Sequence, residues 1–213
     1  MIERHFADMP NRIAALPRDE RGFPIPKFVH WFETGPDFRV ISPKHMADCI
    51  SHDLCWICGG KLGAYKAFVL GPMCCINRIS AEPPSHRDCA EFAAKNCPFL
   101  ATPLARRREK QLPEHRYVPG VMLARNPGVA AVWITRSYKT FTPHNGGVLF
   151  AVGDPLEFSF YAEGRPATRA EVDKSIEGGR PFLIEQATKD GTLADMCLAE
   201  KLFGRMLDKV LPR

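Results

Sequence analysis

Two short half-sites constrain this chain more than anything else in it. Cys55-Trp56-Ile57-Cys58-Gly59-Gly60 is the first and His86-Arg87-Asp88-Cys89 the second, with twenty-seven residues between Cys58 and His86. Three thiols and one imidazole, in two pairs each spaced by two residues, are the donor set of a closed tetrahedral zinc site. A chain that holds such a site must bring a tight knuckle and a distant second pair to within a few ångströms. Pro83-Pro84-Ser85 precedes the second pair and Ala90-Glu91-Phe92-Ala93-Ala94-Lys95 follows it, so a helix is expected to open there. Ser85 would be its N-cap and Asp88 part of a weak capping box. At i and i+3 of that helix, His86 and Cys89 share a face, and the helix N-terminus favours a thiolate. A knuckle, a connection long enough for a hairpin, then two ligands in a first helical turn is the order of a treble-clef zinc module. Such a closed site holds a fold together and does not react.

Other readings of the same cysteines exist. Cys55 and Cys58 could form a redox dithiol, but that motif opens a helix and Gly59-Gly60 opposes one. They could also be reduced core thiols. Of the eight cysteines, most cluster between Cys49 and Cys97, which suits metal ligation in a reduced compartment better than disulfides. Cys74, Cys75 or Cys97 could replace one of the four ligands. His45, Cys49 and His52 fall on one face of an expected short helix; a second metal is conceivable there, but no fourth ligand is visible.

The remaining pattern predicts an α+β fold, with the treble-clef-like zinc module joined to an antiparallel sheet and C-terminal helices. Residues 1–27, with Pro10, Pro17, Pro24 and Pro26, read as an extended arm. Residues 28–112 form the zinc-binding region and 113–213 an α+β region, or the two make one continuous domain. A hairpin is expected over 28–41 and a helix from Ser42-Pro43 to about His52. Residues 65–70 read as a strand and Met73-Cys74-Cys75-Ile76 as its return. A further helix over 104–112 is expected after Thr102-Pro103. Strands follow over 129–135, 147–152 and 156–161, the last with one wetter face. Thr168-Arg169-Ala170-Glu171 is a capping box, and Gly178-Gly179 should close its helix. Two more helices are expected, over 181–189 and over 192–211, the latter amphipathic.

Charge is unevenly placed. The net +5 is modest, but residues 105–140 alone carry eight Lys/Arg against two Asp/Glu. Arg106, Arg107, Arg108 and Lys110 are its centre, with Arg116, Arg125, Arg136 and Lys139 extending it and Tyr117, Trp133 and Tyr138 interleaved. Localised positive charge suits contact with nucleic acid or an acidic protein surface, although three consecutive arginines on a helix point three ways. Asn77 and Arg78 belong to a short polar span, through Glu82 to His86, that could line a pocket. No apolar run reaches the ~20 residues of a membrane span, and the N-terminus lacks the layout of a secretory signal, so a cytoplasmic protein is expected. Phosphate loops, nucleophile elbows and His-Glu-x-x-His are missing. A His-Asn-His nuclease would need a histidine on the hairpin after the knuckle, and residues 65–76 contain none.

Longer motifs carry a resemblance. Leu16-Pro17-Arg18-Asp19, Arg21-Gly22, Pro36-Asp37-Phe38-Arg39, Leu54-Cys55-Trp56-Ile57-Cys58-Gly59, Gly71-Pro72-Met73-Cys74, Ala81-Glu82-Pro83-Pro84-Ser85-His86, Arg125-Asn126-Pro127-Gly128-Val129 and Tyr161-Ala162-Glu163-Gly164-Arg165-Pro166 resemble a group of uncharacterised bacterial and phage-borne proteins. The resemblance runs from about Leu16 to Glu185. It implies a single family unit and supplies no activity; a phage setting implies a host-interaction or anti-defence role. The function expected is thus a protein stabilised by one Zn²⁺ that binds nucleic acid or an acidic protein surface. A metal-dependent hydrolase or nuclease around Asn77 and His86 is the first alternative, and a phage-encoded inhibitor of a host protein the second.

Overall fold

A computed structural model describes residue 6 and residues 8–102, 105–106, 125–144 and 146–212. The molecule is mixed helix and antiparallel sheet. Its lead-in contains one helical turn, α1 (Asn11–Ala14), and buries Ile13, Leu16 and Ile25. It is therefore packed onto the body. The hairpin β1 (Val29–Phe32) and β2 (Gly35–Ile41) follows, then α2 (Pro43–His52). Ser42 caps α2 by accepting the His45 N–H, and Pro43 occupies the first turn, as the local sequence requires.

The main sheet takes strands from distant parts of the chain. β3 (Lys66–Leu70) pairs with β5 (Ala130–Thr135), β5 with β8 (Glu157–Ala162), and β8 with β9 (Arg165–Pro166). The register sets Phe68 beside Trp133 and Trp133 beside Phe158. Between β3 and β5 come α3 (Pro72–Asn77), β4 (Ile79–Ser80), α4 (Arg87–Asn96) and α5 (Pro98–Ala101). A smaller sheet is ordered β4, then β7 (Leu149–Val152), then β6 (Tyr138–Phe141), an exposed edge strand without the apolar run that marks the others in the sequence. Two helices close the chain, α6 (Arg169–Lys189) and α7 (Leu193–Val210).

β5 is buried along its whole length because both sheet faces are covered. Ala131 and Trp133 face one side, with Phe158, Phe160, Val172, Phe203 and Leu207. Val132 and Ile134 face the other, with Ala90 and Ala94 of α4 and Tyr161 of β8. The alternation on β8 is therefore drier than expected, since α4 covers the Tyr161 side. Among the described residues, no helix is long and apolar enough to cross a membrane.

Three expected elements differ. Residues 73–76 are helix, not a return strand. Gly71 caps the helix, Pro72 starts it, and Arg78 ends it in the left-handed region. A four-residue apolar run does not distinguish helix from strand, and Pro72 decides for helix. Gly178-Gly179 does not end α6, which runs through both and through Pro181. Its glycines serve close packing instead: a Cβ on Gly179 would lie 2.8 Å from Met73 Cγ of α3. Arg106 is bridged antiparallel to Arg125, so it is not helical. Residues 104 and 107–112 of the expected helix, with Arg107, Arg108 and Lys110, lie outside the described residues.

Candidate metal centre

Cys55, Cys58, His86 and Cys89 converge, and their ligand atoms all lie within 4.8 Å of one another. The knuckle closes through a Leu54–Lys61 bridge and the Cys55 N–H bond to Gly60 O, 2.7 Å. Gly59 holds φ +73°, and a Cβ there would strike the Lys27 side chain at 2.9 Å. Lys27 N–H also donates to Ile57 O, so the lead-in is sewn to the knuckle. The second half-site is positioned by an antiparallel bridge between Ala67 of β3 and Ser85. This bridge takes Ser85 out of the capping role expected of it. His86 is the N-cap of α4, and Cys89 is three residues into the helix. Asp88 does not complete a capping box; its carboxylate accepts the Cys89 N–H and pairs with Arg12 of the lead-in.

The donors are aimed for ligation. His86 Nε2 is 2.9 Å from Lys61 O, an oxygen that can only accept, so Nε2 carries the proton. Nδ1 therefore presents its lone pair, 3.3 Å from Cys58 Sγ and 4.0 Å from Cys89 Sγ. Four donors around one ion at bond lengths of about 2.0–2.3 Å sit about 3.5–3.8 Å apart, and the two His86 distances fall either side of that range. Backbone N–H groups of Cys58 and His86 donate to Cys55 Sγ at 3.4 Å, and Gly60 N–H to Cys58 Sγ at 3.5 Å. The Lys61 carbonyl and these amides are the outer shell that orients ligands and supports thiolate charge.

Charge at the cluster points the same way. Hydrogen bonds from the Cys58 and Cys89 thiols, then from the Cys58 and His86 amides, hold Cys55 far below the ordinary thiol range. Hydrogen bonding to Cys55 is the chief cause that pushes Cys58 and Cys89 up, and the bond between those two raises Cys89 while lowering Cys58. Three thiols this close share one negative charge, because a second and third anion would repel. A dication at their centre lets all three ionise. The arrangement could hold one metal ion. With four protein donors it leaves no open position for substrate.

The cluster is half sunk in the fold, with Cys58 and His86 partly exposed. Cys55 and Cys89 are fully buried, in a small apolar group with Ile13, Leu16, Ile57, Leu62 and Phe92. Phe6 and Met9 of the lead-in pack against it. Lys66 Nζ, nearly buried, donates to both Asp53 carboxylate oxygens (2.7 and 2.6 Å) and to Gly63 O, bracing the flanks of the knuckle.

Other expected site residues lie elsewhere. Cys74 and Cys75 sit on α3, where burial pushes both thiols up, Cys74 to about 11. Cys97 is the N-cap of α5. Among the described residues, His45, Cys49 and His52 do not form a second metal group. His45 Nε2 contacts Trp56 O (3.2 Å) and Cys49 Sγ (3.4 Å), and its ring stacks on Trp56. Burial pushes Cys49 up to about 12, so it stays a thiol. Asn77 and Arg78 line a cleft of about 380 Å³ beside α7, and none of the four metal-cluster residues lines it. The polar span from Asn77 to His86 is thus split between two places.

The basic segment is only partly described. Arg106, Arg125, Arg136 and Lys139 are exposed. Its aromatics are not all available: Trp133 is fully buried, and Tyr138 packs on Phe68 and Phe150. Tyr117 lies outside the described residues. One exposed aromatic beside the basic stretch was not singled out from the sequence. Tyr65 is 54% exposed, with the Arg136 guanidinium 5.4 Å from its ring centre. Compared with protein-family models, curated proteins and solved structures, the chain matches none.

Proposed function

We propose that this is a zinc-stabilised binding protein whose metal is structural. The observation that carries the reading is the convergence of three thiols and one imidazole within 4.8 Å. Sulfur-rich tetrahedral donor sets select zinc among common divalent ions. The bridges Leu54–Lys61 and Ala67–Ser85, with ligands at the N-cap and third residue of α4, support a treble-clef-like module. In it, α3 and β4 are inserted between the two paired segments. Four protein ligands favour structural over hydrolytic use, and the position of Asn77 and Arg78 away from the cluster removes support for a metal-dependent nuclease there.

The partner is nucleic acid, contacted through the basic stretch 105–140. Its charge supports this, as does Tyr65 beneath Arg136, an exposed ring and cation suited to base stacking and phosphate. The test is fluorescence anisotropy with labelled single- and double-stranded oligonucleotides. Affinity should fall steeply between 50 and 200 mM salt, by roughly tenfold or more for several phosphate contacts. Arg136→Glu should weaken it with the metal retained. A flat salt response, or no binding at low salt, rules this partner out and leaves an acidic protein surface as the target.

A further inference from the structure

We infer that α7 is a homodimerisation helix, pairing antiparallel with α7 of a second copy. One face of α7 carries Asp195, Leu198, Leu202 and Arg205, at i, i+3, i+7 and i+10. That spacing is the seam of a two-stranded coiled coil. Leu198 is 58% and Leu202 44% exposed, unusual for adjacent leucines on one helix. The core-facing side of the helix is already satisfied by Met196, Phe203 and Leu207. Charges on other faces are also occupied, Glu200 by Arg180 and Asp208 by Arg169. Asp195 and Arg205 are exposed, and neither has an ion-pair partner among the described residues.

The choice of a second copy as occupant comes from the symmetry of this seam. Leu198 and Leu202 are centred on residue 200, and so are Asp195 and Arg205. A two-fold interface pairs residue i with j and j with i. The antiparallel register that sets Leu198 against the partner copy's leucine at 202 therefore also sets Asp195 against its arginine at 205, on both sides. Two leucine layers end in two opposite-charge layers, and no other partner is needed to complete them. A cleft of about 380 Å³ adjoins the same face, lined by Asp195, Leu198 and Leu202 together with Met206 and the Arg78–Asp154 ion pair. It can take side chains of the second helix.

The test is sedimentation velocity and light scattering on the full, metal-replete chain across a concentration series. A concentration-dependent dimer is expected. Leu198→Glu with Leu202→Glu should give a monomer with unchanged circular dichroism and metal content, because both side chains are already exposed. Arg205→Asp or Asp195→Arg alone should raise the dimer Kd by about tenfold or more, and the double exchange Asp195→Arg/Arg205→Asp should restore it. A wild-type chain that stays monomeric, a dimer unaffected by the leucine changes, or a double exchange no tighter than the single changes would each overturn the assignment.

Discussion

Around the metal cluster the buried apolar set is thin: Ile13, Leu16, Ile57, Leu62 and Phe92 beside Cys55 and Cys89. Across the main sheet it is thick, with Trp133 stacked on Phe158, and Phe158 and Phe160 against Phe203 of α7. The thin region is assembled from three separated stretches, the lead-in, the knuckle and α4. Little apolar area offsets the entropy of ordering them. In the function proposed above, coordination would supply what packing there does not, as it does in small domains generally. The thick region has aromatic volume enough to fix its own geometry. On that proposal metal is needed locally, and its loss should loosen one region before the other.

The largest expected effect breaks the thick core. Trp133→Ala removes a fully buried ring and should cost about 3–5 kcal/mol, measured by denaturant unfolding. Unfolding should remain a single transition, because β3 and β5 join the sheet to the metal region. Next is Ile13→Ala, at 1% exposure in the thin core, expected to cost about 2–4 kcal/mol. Its signature differs: faster metal loss to a chelator and lowered amide protection in the lead-in and knuckle, with the main sheet still protected. Equal loss of protection in both regions would contradict the division.

The smallest effect lies outside both cores. Glu171 accepts from Arg165 and from the Thr168 N–H, which lower its pKa from an ordinary 4.5 to about 2. A depressed carboxyl stabilises the fold above its unfolded value, and the gain fades as pH falls from about 4.5 towards 2. Glu171→Gln should cost about 1 kcal/mol or less at pH 7, since the group is on the surface. Thermal melts from pH 6 to 2.5 should show the difference from wild type shrinking with acid. A constant gap would show that the ionised capping carboxylate is not the cause.

Local chemistry made part of this legible in advance. Ser42-Pro43 and Thr168–Glu171 mark helix starts because capping depends on adjacent residues. The run over 129–135 announced a central strand, and the spacing of cysteines and histidine announced the cluster. What depended on distant partners was not legible. Gly178-Gly179 reads as a stop until Met73 is seen packed against it. Residues 73–76 read as a strand until Pro72 is placed in a helical first turn. His86 looked like a helical ligand, and only the Ala67–Ser85 bridge makes it an N-cap. The Lys61 carbonyl that sets its tautomer has no sequence signal, because every residue carries one.

The most direct measurement is metal content with X-ray absorption spectroscopy, on wild type and Cys58→Ser. Wild type should hold one zinc per chain, with three sulfurs at about 2.3 Å and one nitrogen at about 2.0 Å. Cys58→Ser should bind zinc far more weakly, with amide protection lost around the knuckle and α4 first. A wild-type chain without stoichiometric metal, or a coordination shell containing an exchangeable oxygen, would contradict the proposed structural zinc site.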